Sequence, residues 1–167
     1  MSETPASNPK IPGKEPIFRH MDDDDMGWRN VRAQRNADGT DAFVREKWFA
    51  FSNEPQYLSL YAEYDPGMIV RRHGHFSPHV VFVLEGVLWC GDRECPAGTH
   101  IELPFGAAFG PLRAGAEGAV LFEVMMGDPR SFPADLEGYQ RFLEERGVVQ
   151  LPNPPIEMPD WLEDTRT

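Results

Sequence analysis

The sequence predicts one all-β barrel or sandwich carrying an N-terminal arm and a C-terminal helix. Three observations lead there. Between Phe43 and Val124 the chain is a series of short runs of β-branched, aromatic and leucine residues, interrupted by turn signals. No helical period competes in that stretch, and a three- and four-residue apolar step appears only after Gly127-Asp128-Pro129. A chain of 167 residues also has room for one core plus extensions and is short for two domains. The expected organisation is an arm over 1–42, partly disordered, a barrel over 43–127, and a helix with an extended tail packed on the barrel over 128–167.

The arm is rich in Pro, Asn, Asp and Lys and includes the run Asp22-Asp23-Asp24-Asp25. Consecutive carboxylates on a flexible chain cannot converge on a cation, so the run reads as solvated charge. Residues 1–14 are expected to be disordered. Ile17, Phe18, Met26 and Trp28 are large enough to dock against the barrel or a neighbouring subunit as a short edge strand, so a homodimer is expected.

Within the barrel, turns are expected at Asp65-Pro66-Gly67, Ser77-Pro78, Glu85-Gly86, Gly91-Asp92, Pro96-Ala97-Gly98, Pro104-Phe105-Gly106 and Ala114-Gly115. They delimit strands at Trp48 to Ser52, Tyr57 to Tyr64, Met68 to His75, His79 to Leu84, Val87 to Cys90, His100 to Leu103 and Ala119 to Met125. Cys90 and Cys95 flank one of these turns and read as two reduced thiols rather than a bridge. Beyond residue 130, Asp135 or Ser131 can cap a helix whose apolar face is Leu136, Tyr139, Phe142 and Leu143, with Gly147 as its stop. Four prolines make the remaining tail extended, and Trp161-Leu162 looks like its anchor.

The formal net charge of -11 excludes a nucleic-acid partner in the absence of a basic face. No apolar run is long enough for a membrane span, and the first thirteen residues lack the pattern of a secretory signal, so a cytoplasmic protein is expected.

Three of the five histidines fall at 73, 75 and 79. Alternation along a strand puts His73 and His75 on one side, close enough to share an ion. Ser77-Pro78 breaks the strand, and His79 opens the next with Val81 and Val83 on its face. All three rings can then converge at the mouth of a barrel and hold one divalent metal. Imidazole suits Zn, Fe, Ni or Cu, and Mn less well, and spacing alone does not choose among them. His20 reads as a surface residue.

Gly67, five residues, His73-Gly74-His75, three residues, His79, six residues and Gly86 resemble the first motif of the cupins, in which the position of His79 is usually Glu. The stretch from Gly98 to Phe109 resembles part of the second cupin motif, with Phe109 where the fourth ligand usually stands. The resemblance covers about half the chain. It implies a single cupin jelly-roll barrel with its ion near the centre, held by His73, His75 and His79. Three-histidine cupins further imply Fe(II) as the favoured ion, with Zn, Mn or Ni as substitutes, and dioxygenase chemistry on a small enolisable or chelating substrate such as a dicarbonyl, hydroxyketone or thiol carboxylate. A non-redox lyase or isomerase and a ligand-binding barrel without catalysis are the alternatives.

Two further side chains are candidate catalytic residues. Arg71 shares the His73/His75 face and can grip a substrate carboxylate or enolate; a rim ion pair with Glu63, Glu85 or Glu123 is equally compatible. Glu102, like His100, points outward if Thr99, Ile101 and Leu103 face the core. A register shift at the Pro-x-Gly turn turns it inward as a ligand or general base, and Glu123 is another carboxylate able to move a proton.

Overall fold

A computed structural model describes residues 15–162. Its strands, in chain order, are β1 Arg29–Arg35, β2 Asp41–Asn53, β3 Gln56–Tyr64, β4 Ile69–Val70, β5 His73–His75, β6 His79–Cys90, β7 Arg93–Pro96, β8 His100–Leu103, β9 Ala108–Phe109, β10 Leu112–Met125, β11 Ser131–Pro133 and β12 Val149–Gln150, with helix α1 at Leu136–Glu144. Nine strands form one antiparallel sheet whose main path runs β12-β1-β2-β3-β10-β6-β7, with β4 added to β10 and β8 to β6. The other three, β11-β5-β9, form a short second sheet. Because its middle strand is His73–His75, the second sheet frames the histidines.

Alternation explains which side is filled. Along β3, Leu58, Leu60, Ala62 and Tyr64 are buried and their neighbours are not. Along β6 the inner face is His79, Val81 and Val83, as the sequence pattern requires. Leu121, Glu123 and Met125 make the inner face of the end of β10. Each fully buried leucine here, such as Leu60 or Leu121 at 1 % exposure, contributes roughly 1.5–3 kcal/mol of burial free energy. A carboxylate in that row has to be hydrogen-bonded.

Several boundaries differ from the sequence expectation. The sheet begins at Arg29, inside the segment read as an arm, because Val31 and Ala33 alternate into the core and β1 pairs with β2 from Arg29↔Glu46 to Arg35↔Asp41. The expected turn at Glu85-Gly86 is a bulge within one long strand: the β6–β10 register slips between Ala114 and Ala119, and Gly86 there has φ +69°. The single strand expected from Met68 to His75 is broken at Arg71-Arg72, with β4 pairing β10 and β5 pairing β9 and β11.

Of the apolar residues upstream of β1, Met26 is buried and Trp28 stacks at 6.1 Å on Tyr61, but Ile17 and Phe18 stay exposed. The expectation for residues 1–14 lies outside the described residues. Cys90 and Cys95 are free thiols, and burial raises the pKa of both. Asp135, not Ser131, caps α1 by accepting from the Gly138 N–H at 3.0 Å. Ser131 instead starts β11, opposite His75. No helix among the described residues is long and apolar enough to cross a membrane.

After α1 the chain joins the sheet edge as β12, pairing Gln34↔Gln150 and Arg35↔Val149. It then continues extended, tied by the Leu151 N–H to the Ala33 carbonyl at 3.0 Å and by Arg32 Nη1 to Asn153 Oδ1 at 3.0 Å. Trp161 meets Phe51 edge-on at 5.1 Å, and Leu162 is buried. Trp161-Leu162 is therefore the anchor that the sequence pattern indicates.

Candidate metal and substrate site

The three histidines come together, but not as equals. Ring centroids of His73 and His75 lie 5.2 Å apart and those of His75 and His79 4.8 Å apart. His73 and His75 line a cavity of about 130 Å³, whereas His79, 1 % exposed, lies outside its lining. Gly74 lets the strand between them run close to its neighbours, since a Cβ there would stand 2.5 Å from the Ala107 carbonyl oxygen and from the Phe132 ring. Phe109 pairs with His73 and covers the histidines from one side, at 5.0 Å from the His73 ring and 5.7 Å from the His79 ring.

Hydrogen bonds settle the tautomers of the two cavity-lining rings. His73 Nδ1 is 2.8 Å from the Arg71 carbonyl and His75 Nδ1 is 2.7 Å from the Pro129 carbonyl. A carbonyl only accepts, so each Nδ1 carries the proton and, in the neutral ring, each Nε2 keeps its lone pair. Both rings are held neutral. Burial, reinforced by His75, lowers the His73 pKa to about 3, and burial, reinforced by His79, lowers that of His75 to about 4.

That neutrality makes the fold acid-sensitive. Below pH 6.5 the unfolded chain protonates these histidines while the folded rings remain neutral, so the stability they confer is complete above pH 6.5 and is lost as pH falls toward 3. In metal-free protein, urea unfolding at pH 5 is expected to show stability lower than at pH 7 by on the order of 4 kcal/mol, about 2 from each ring. The double variant His73→Gln/His75→Gln should lose most of that slope. An unchanged slope would mean that other groups set it.

His79 is committed elsewhere. Its Nε2 is 2.8 Å from Glu123 Oε2, both side chains being buried, and its Nδ1 has no hydrogen-bond partner. As a carboxylate Glu123 can only accept, so Nε2 donates. The register explains the contact: Met125 lies opposite His79 and Glu123 opposite Val81, which places Glu123 on the inner face diagonal to His79. Glu123 lines the cavity beside His73 and His75. The expected cage of His73, His75 and His79 is thus not preformed: among the described residues, no group of three or more His, Cys, Asp or Glu side chains is set to hold a metal ion as the side chains lie.

Neither predicted catalytic residue reaches the cavity. Arg71 follows β4 at the strand break, so alternation with His73 does not apply; its side chain is buried and lines a smaller cavity with Tyr139 and Gln150. Glu102 is exposed, like His100, because Leu103 and, in part, Ile101 take the inward positions of β8. The basic residues that do line the histidine cavity are Arg32 and Arg130. Arg130 is also paired with Asp128, and Arg32 with Asn153. Arg32 was hidden in a segment read as an arm; the register irregularity between Asn30 and Arg32 and the pairing of Arg32 with buried Val44 turn it inward, which no sequence pattern signalled. Glu46, Tyr64 and Ser131 add further polar groups, and the apolar part of the lining includes Val44, Trp48, Phe51, Leu58, Leu60 and the tail.

No family model matches the sequence, and no curated protein matches it. Solved structures do resemble it. One described as a putative acetylacetone dioxygenase from Methylibium petroleiphilum PM1 superposes with a TM-score of 0.57 at 14% identity, over 79% of this chain and 88% of that one. An acetylacetone dioxygenase from Acinetobacter johnsonii gives 0.56 at 14% identity, over 79% and 85%. An RmlC-like cupin protein from Ralstonia eutropha JMP134 gives 0.49 at 13% identity, over 81% and 93%. The protein is a single β-barrel closed around a histidine-lined cavity. Its fold is the cupin jelly roll.

Proposed function

We propose that this chain is a metal-dependent cupin enzyme, a non-haem Fe(II) dioxygenase acting on a small enolisable substrate such as a 1,3-dicarbonyl. The observation that carries the reading is the pair of tautomer-locked histidines, whose Nε2 lone pairs remain available beside a buried carboxylate in one small cavity. Anchoring the far nitrogen of an imidazole to a carbonyl is what orients metal-binding histidines. The donor set fits a divalent ion chemically: two neutral imidazoles and one carboxylate are the triad associated with non-haem iron and open coordination positions. His73, His75 and Glu123 would hold the ion, and His79 would orient Glu123 through its Nε2–H. This replaces the three-histidine set expected from spacing. The likeness to two structures named as acetylacetone dioxygenases supports trying that substrate first.

Iron bound there would supply Lewis acidity toward an enolate and one-electron chemistry with dioxygen. The protein's own contribution is positioning and charge. His79, through its Nε2–H, would fix Glu123 Oε2 and leave the other carboxylate oxygen for the ion. Arg32 and Arg130 add positive charge to the lining, favouring the enolate over the neutral ketone. Trp48 keeps part of the wall apolar, and Phe109 packs on the His73 ring.

A non-redox lyase or isomerase is the second reading, favoured by the buried His79–Glu123 pair, which can shuttle a proton without oxygen. The deciding experiment measures metal content after purification without chelators, then oxygen uptake with acetylacetone. Near-stoichiometric iron and substrate-dependent uptake are expected. Turnover retained anaerobically with Zn or Mn would favour the second reading, and metal below about a tenth of an equivalent, with none gained on reconstitution, would overturn both.

A further inference from the structure

Resting on the reading of this cavity as a substrate site, we propose that the C-terminal segment 151–162 is its selectivity wall, restricting the non-reacting end of the substrate to one compact apolar group. The cavity is lined by two kinds of residue, and Glu46, held by Trp48 Nε1 at 2.7 Å, is a polar one beside the apolar group. His73, His75, Glu123, Arg32 and Arg130 are polar and belong to barrel strands or to the loop before β11. Trp48, Phe51 and Leu58 are apolar, and facing them are Ile156, Met158 and Leu162 from the tail. The tail is thus part of the pocket itself.

Its course makes it a wall rather than a loose end. It leaves the sheet edge at Leu151, is tied at Asn153 to Arg32, carries prolines at 152, 154, 155 and 159 that limit its freedom, and finishes with Trp161 on Phe51. Arg32 both lines the cavity and holds the tail, so the polar end and the wall share a support.

Size sets the substrate class. A cavity of about 130 Å³ is close to the roughly 150 Å³ apolar hole that accommodates benzene. A chelating head group fills most of that space, so the apolar end has room for a short alkyl group only.

The test uses binding, followed by calorimetry, of two probe series. One is straight-chain 2,4-diketones of increasing length; the other is straight-chain alcohols with the same tails and no chelating head. Affinity in the parent protein is expected to rise about fourfold per methylene and then fall at a sharp length limit. Leu→Ala and Met→Ala each remove three heavy atoms, so Leu162→Ala and Met158→Ala should each move that limit outward by about two to three carbons. Leu162 is buried and anchors the tail, so Leu162→Ala should lower the melting temperature, whereas Met158 is only partly buried and Met158→Ala should keep that of the parent, so the shift in Met158→Ala alone decides. An identical limit in parent and variants, no limit, or no binding of either series overturns the wall. Alcohols that show the limit and its shift while diketones do not bind would uphold the wall and remove the dicarbonyl reading. Diketones that bind alike in all three proteins would do the reverse.

Discussion

Alanine at His73 or His75 is expected to remove bound metal, from near one equivalent in the parent to below about a tenth, with affinity down at least about a hundredfold. Each ring lines the cavity and is oriented by one carbonyl, and the neighbouring His79 keeps an unpartnered Nδ1 that serves as a ligand only if the site is the three-histidine one. The informative comparison is Glu123→Gln against His79→Ala. If Glu123 is the third donor, Glu123→Gln should match the histidine losses, whereas His79→Ala, which removes the partner that orients it, should weaken binding by about 10–100-fold and leave reconstitution possible. The reverse ranking would return the site to three histidines. Chelator competition gives the affinities. His79→Ala also leaves a buried carboxylate without its hydrogen bond, so a stability loss of about 1–3 kcal/mol should accompany it.

The largest effect on stability is expected at Gly86→Ala. The residue has φ +69°, and an added Cβ would stand 2.2 Å from the Gly118 carbonyl oxygen and 3.2 Å from the Ala119 Cα. Left-handed backbone costs an L-residue roughly 1–2 kcal/mol, and overpacking against backbone adds roughly 1–3 kcal/mol. The sum, roughly 2–5 kcal/mol, is a large part of the total stability of an ordinary domain. Gly98→Ala is the control: φ is +92° but nothing lies within 4 Å of the added carbon, so only the backbone part should appear. Urea unfolding of the two variants separates strain from crowding. Equal losses would show that Gly118 moves aside at little cost.

Gly86 also marks the limit of local reading. Glu85-Gly86 looks like a hairpin turn in one dimension, and a glycine with positive φ serves a turn and a bulge equally well. Only the approach of Gly118 on β10 makes it a bulge in one strand. For the same reason β1 escaped notice. Its alternation is short and follows an acidic, proline-bearing stretch, and its strand character depends on pairing with β2 on one side and β12 on the other.

Alternation and turn spacing by themselves determined that this chain is an all-β barrel or sandwich, that His79 shares an inner face with Val81 and Val83, and that His100 and Glu102 point outward unless the register shifts. Side-chain direction along a strand depends on neighbouring residues alone, so it is legible in sequence. The tertiary structure decided what those directions meet. Arg71 leaves the histidine face because the strand breaks before it reaches His73, and Glu123, forty-four residues from His79 in the chain, becomes its partner through the β6–β10 register. The wall of Ile156, Met158 and Leu162 arises the same way, from a proline-rich tail that is held only where β1 and Phe51 receive it. Pairing register and the residues that receive the tail are contacts between residues distant in sequence, and no local pattern encodes those partners.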